Sequence, residues 1–166
     1  MNYHLGKPVF KDELISAIAV MLRNRRYRNN TMNSQNFHEP EQNKTKFWET
    51  LGNEKVLDLS TINSLKEIGG LELIESLFET FIADSEKMIG ELENAVVREE
   101  MKQYDHIMHT LKGSSGSVGA NKMFVLSSYI NQCSHNGIWP ENESWLQIFK
   151  AVFADTANEM KNLFQK

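Results

Sequence analysis

From residue 56 onward apolar side chains recur at spacings of three and four, and no stretch alternates with a period of two. That rhythm predicts helices and no strands. Ser60 or Thr61 is placed to cap a short helix ending at Gly69 and Gly70. Leu73, Leu77, Phe78, Phe81, Ile82, Met88, Ile89, Leu92 and Val96 then mark a long helix. Tyr104, Ile107, Leu111, Ser115 and Val118 form a third stripe, Met123, Leu126 and Ile130 a fourth, and Trp145, Ile148, Phe149, Val152, Met160 and Leu163 a fifth. Pro140 stands between the last two and belongs to neither. The expected fold is all-α: an antiparallel four-helix bundle with a short extra N-terminal helix across one end.

The first 55 residues read differently. Leu14, Ile15, Ile18 and Leu22 have helical spacing, and the basic run from Arg23 to Arg28 ends it. Residues 29–55 are rich in Asn, Gln, Lys and Glu without apolar periodicity, which predicts a polar linker anchored only by Phe47 and Trp48. The domain boundary is expected near Val56.

Charge narrows the possible partners. The net charge of -4 conceals a gradient: residues 1–28 carry six Lys and Arg against two Asp and Glu, and residues 56–166 carry nine against sixteen. An acidic domain is a poor match for nucleic acid, whose affinity comes from cations neutralising phosphates, so protein partners are expected. The single cysteine, Cys133, excludes an internal disulfide framework and fits a reducing compartment. No apolar run approaches the roughly 20 residues that span a bilayer, and no secretory signal opens the chain, so a cytoplasmic protein without membrane contact is expected.

The third stripe also locates candidate chemistry. With about 100° per residue, its five members fall within an arc of roughly 80°, and His109 lies about 150° from the centre of that arc. The imidazole is therefore expected in solvent, with Asp105, Lys112, Gly113 and Gly116 near the same outer side. A glycine inside a helix costs about 1 kcal/mol relative to alanine, and solvent alone does not ask for so small a residue. Close approach of a partner to the ring does. Lys112, three residues on, is placed beside the ring, where its ammonium could meet negative charge brought by a partner. Two other readings are weaker. Gly113, Gly116 and Gly119 follow no strand and lack the Gly-Lys-Ser/Thr ending of a nucleotide loop, and His106 with His109, Asp105, Cys133 and His135 is a loose candidate for a metal site.

The string His109-Thr110-Leu111-Lys112-Gly113-Ser114-Ser115, followed by Gly119-Ala120, closely resembles the signature of histidine-phosphotransfer domains, the single-histidine relay modules of bacterial, fungal and plant phosphorelays. The likeness extends over about residues 56–166. It implies that His109 is phosphorylated on a ring nitrogen, that Lys112 assists and that Gly113 keeps the ring accessible, with Gly116 in support. Members of the family commonly carry a glutamine on the following helix that hydrogen-bonds the ring; by position Asn131 falls there, with Gln132 beside it. The resemblance further implies a carrier that is not an enzyme, with no cofactor or ATP site of its own. Receiver domains of response regulators would be the partners, supplying both Mg²⁺ and the reactive aspartate, and a sensor histidine kinase would feed the relay. A helical adaptor that binds receivers or a kinase without phosphotransfer is the alternative.

A second resemblance lies at the start. Tyr3-His4-Leu5-Gly6-Lys7-Pro8-Val9 and the helix after it look like the last strand and helix of a receiver domain, so residues 1–28 are read as a truncated receiver tail in which Lys7 has no role. Tail, linker and phosphotransfer domain occur in that order at the C-terminal end of hybrid sensor kinases.

Overall fold

The computed structural model describes residues 41–140 and 144–165, with side chains from Lys46 onward. The proposed receiver tail and the first part of the linker lie outside the described residues. Among the described residues five helices follow one another: α1 (Glu41–Asn53), α2 (Leu59–Val97), α3 (Met101–Val118), α4 (Asn121–His135) and α5 (Trp145–Asn162). No strand occurs among the described residues. The expected all-α bundle is present, with α3 paired most extensively with α4 and then with α2.

α2 is two helices joined at a kink. Gly70 adopts φ 71° and ψ -168°, a conformation open to glycine and costly for other residues. The first piece is the short helix that the sequence predicts, and the second supplies Leu73, Ile74, Leu77, Phe78, Phe81, Ile89 and Leu92 to the core. Its N-cap differs from expectation. Asp58, not Ser60 or Thr61, caps the helix: one carboxylate oxygen accepts the Ser60 N–H at 3.1 Å and the other accepts the Thr61 hydroxyl at 2.6 Å. The capping residue simply stands one turn-step earlier, where its side chain can reach the free amides.

The polar segment that reads as linker is helical from Glu41, a correction with a physical cause. Leu51 follows Trp48 by three residues and Phe47 by four, and one short stripe suffices when a receptive surface waits for it. Leu51 is buried, and Phe47 stacks on Tyr129 of α4 with ring centroids 3.9 Å apart while Trp48 meets the same ring edge-on. Asn121 and Lys122 at the start of α4 donate side-chain hydrogen bonds to Lys55 and Gly52 carbonyls, securing the connection. Composition hid this helix because its remaining positions are polar.

Tight turns join α2, α3 and α4. Glu99 takes a left-handed φ of 56°, and the Glu100 N–H closes on the Ala95 carbonyl at 2.9 Å. At the other end of α3, Gly119 is left-handed at φ 76°, and its carbonyl accepts the Asp58 N–H at 2.8 Å. The α4–α5 connection is pinned by Trp139, whose ring stacks on buried Tyr104. Burial, aided by nearby Cys133, Asp105 and Tyr129, pushes the Tyr104 phenol well above its ordinary range. On α5 the expected stripe holds for Trp145, Phe149, Val152 and Met160, but Leu163 follows the helix and is exposed, and Phe164 packs against Phe78 in its place.

Candidate functional site

The two sides of α3 are chemically distinct. Tyr104, Ile107, Met108, Leu111, Ser115 and Val118 are all buried, as the stripe predicts, with Met108 widening it. His109 and Thr110 are exposed, Asp105, Lys112, Gly113, Ser114 and Gly116 are half-buried, and His106 is exposed one turn before His109. A buried face that locks the helix thus holds the imidazole outward. Among the described residues, none hydrogen-bonds the His109 ring, whereas its neighbour Thr110 is tied to the His106 carbonyl at 3.0 Å.

Gly113 stands one turn beyond His109, and a Cβ placed there would meet nothing within 4 Å. Internal packing gives no reason for the glycine. The expectation that it leaves room outside the protein is therefore consistent with the geometry. Lys112 belongs to the same outer strip, and because side chains on a helix lean toward its N-terminus, its stem is directed back over the turn that carries His109.

Asn131 behaves differently from the ring-orienting residue that its position suggests. Its amide donates to Asp105 Oδ1 at 3.1 Å and approaches Ser134 Oγ at 3.5 Å, and it does not bond the histidine. An asparagine is one methylene shorter than a glutamine, and a carboxylate one turn before His109 captures it. Ser134 completes the cluster by donating to the same Oδ1 at 2.7 Å. Gln132 is exposed on the next position of α4. Asp105 is thus a member of the site that sequence reasoning placed nearby without a role; its spacing of four from His109 was the available signal.

α1 docks on the other flank of α4. With about 100° per residue, Asn131 and Ser134 face one side of α4, and Lys122 and Tyr129, which meet α1, lie on the opposite one. α1 therefore buttresses α4 from behind, and among the described residues the His109 side is left uncovered. Among the described residues, no three of His, Cys, Asp and Glu come together in a way that could hold a metal ion, so the loose grouping around His106, Cys133 and His135 has no geometry behind it. No helix among them is long and apolar enough to cross a membrane.

A bundle that locks one face of α3 and leaves His106 and His109 exposed on the other is the arrangement set beside known proteins. Residues 76–165, more than half of the chain, match the Hpt domain, and the chain belongs to that family. Hpt domains are intermediates of phosphotransfer without an ATP site of their own. The structure is similar to that of histidine-containing phosphotransfer protein B (HptB) from Pseudomonas aeruginosa PAO1, with a TM-score of 0.55 and 25% identity, covering 64% of this chain and 92% of that one. It also shares its fold with a rice protein assigned as a histidine-containing phosphotransfer protein, at a TM-score of 0.60 and 20% identity over 75% of this chain and 92% of that one. The search of curated proteins gives no match.

Proposed function

We propose that this protein accepts a phosphoryl group on His109 from the phosphorylated aspartate of a receiver domain and passes it to an aspartate on another receiver. The observation that carries this reading is the outward His109 on a rigid helix, beside Lys112 and the open space at Gly113. Transfer of a phosphoryl group needs little covalent chemistry from the protein and a great deal of positioning. The imidazole supplies the lone pair, Lys112 supplies positive charge for the phosphoryl oxygens, and the bare backbone at Gly113 admits the partner surface. The receiver contributes the reactive aspartate and the Mg²⁺ that holds the phosphate. The chain itself needs no cofactor.

The acidic balance of residues 56–166 supports protein partners over nucleic acid. The receiver-like residues 1–28 support a place in, or descent from, a hybrid sensor kinase, which would make a sensor kinase the source of phosphate. The test is transfer in both directions. With Mg²⁺ present, a radiolabelled phosphoreceiver should pass label to this chain, and the purified labelled chain should pass it to a second, unlabelled receiver. A chain that binds receivers yet acquires no label is the adaptor, and that result would remove the relay reading.

A further inference from the structure

Asp105 sits one helical turn before His109, and its two oxygens are not equivalent. Oδ1 accepts the Ser134 hydroxyl at 2.7 Å and the Asn131 amide at 3.1 Å. Oδ2 accepts nothing from any described residue. Two donors from α4 thus clamp the carboxylate in place and leave Oδ2 without a partner among the described residues, on a side chain four residues before His109. The His109 side chain leans toward the N-terminus of its helix, over the turn of Asp105 and His106, and being exposed it exchanges rotamers on a fast timescale. Ring nitrogen Nδ1 is the one nearer the backbone, and so the one within reach of a carboxylate four residues back.

We infer that Asp105 is a positioning residue for His109: its free Oδ2 accepts the Nδ1–H of the ring, which places the lone pair on Nε2, the nitrogen that faces solvent and a docked receiver. The inference rests on the reading of His109 as phosphoacceptor. The hydrogen bond of one imidazole nitrogen fixes which form the other takes. In the transfer, Nε2 attacks the phosphorus of the aspartyl phosphate, the Nε2–P bond forms as the P–O bond to the acyl group breaks, and the electron pair of that bond stays on the receiver's carboxylate. No proton has to leave. The product ring keeps its Nδ1 proton and is a cation facing the Asp105 carboxylate, so the same contact serves the return step. Asn131, at the position where a ring-binding amide was expected, acts through the carboxylate it holds.

Asp105→Asn is a sharp probe because it retains the clamp and inverts the open position. The amide oxygen can take the Oδ1 place and still accept from Ser134 and Asn131, while the amide nitrogen takes the Oδ2 place and donates. Long-range proton–nitrogen correlation spectra of the ¹⁵N-labelled full chain, at a pH where the imidazoles are neutral and with His109 assigned through His109→Gln, should show the Nδ1–H tautomer as the majority form. In Asp105→Asn the majority should become Nε2–H, and the initial rate of transfer from a phosphoreceiver should fall about tenfold. Ser134→Ala, which loosens the clamp and spares Oδ2, should keep the Nδ1–H majority. A labelled wild type with an Nε2–H majority, or one whose tautomers and rate are unchanged by Asp105→Asn, overturns the role of Asp105 alone. A wild type that acquires no label overturns the phosphoacceptor reading and this inference with it.

Discussion

Gly113 and Gly119 belong to one glycine-rich string, yet the structure asks opposite things of them. At Gly119 the backbone is left-handed, and an added Cβ would press on the Asp58 carbonyl oxygen and Ile62 Cγ1, each at 3.1 Å. At Gly113 an added Cβ would meet nothing within 4 Å. The first glycine is required by the fold, because the turn from α3 to α4 packs against the start of α2. The second is not required by any packing within the described residues, which leaves the proposed access of a partner to His109 as the reason to test. The same division runs the length of α3, between a buried face that carries stability and an outer strip on which the proposed chemistry would sit.

Breaking the buried face should produce the largest effect on folding. Leu111 is fully buried two residues from His109, and Leu111→Ala should cost about 2–5 kcal/mol through lost transfer energy and a cavity. Urea denaturation measures it, and a loss under about 1 kcal/mol would mean that the inner face is not the core of the bundle. Gly119→Ala should come next, at about 1–3 kcal/mol, from left-handed strain plus the tight contacts. Phe47→Ala should follow at about 1–2 kcal/mol, since a half-buried stacked ring is lost from α4. An unaffected melting temperature there would show that α1 is not docked in solution.

Gly113 should give the smallest change in stability and the sharpest contrast. Gly113→Ala should raise stability by up to about 1 kcal/mol through helix propensity, while transfer from a phosphoreceiver falls. Gly113→Glu should stay folded and transfer still more slowly, because it adds bulk and negative charge beside the incoming phosphoryl group. Variants that unfold, with transfer per folded molecule unchanged, would place Gly113 in internal packing and dissolve the comparison.

Much of this was legible in the sequence wherever periodicity was long. The stripe of Tyr104, Ile107, Leu111, Ser115 and Val118 predicted both the buried face and the exposure of His109, since five positions at helical spacing leave little freedom in orientation. The kink at Gly69 and Gly70 was visible because few residues other than glycine tolerate it. Helix α1 was not, because Phe47, Trp48 and Leu51 are too few to set a period and acquire meaning only against Tyr129. The partner of Asn131 was hidden for a related reason. Counting from the motif places a residue beside the histidine helix, but the choice between a ring nitrogen and the Asp105 carboxylate depends on side-chain length and on Ser134 donating to the same oxygen.

Whether the phosphoryl group rides on His109 is decided by one labelling experiment. The wild-type chain and His109→Gln are each incubated with a radiolabelled phosphoreceiver and Mg²⁺, and the label on the chain is followed through base and acid. Label on the wild type should survive base and be lost in acid, none should appear on His109→Gln, and the two proteins should have matching helical circular dichroism, because the exposed His109 ring bonds no described residue. Equal labelling of a folded His109→Gln chain would contradict His109 as the carrier.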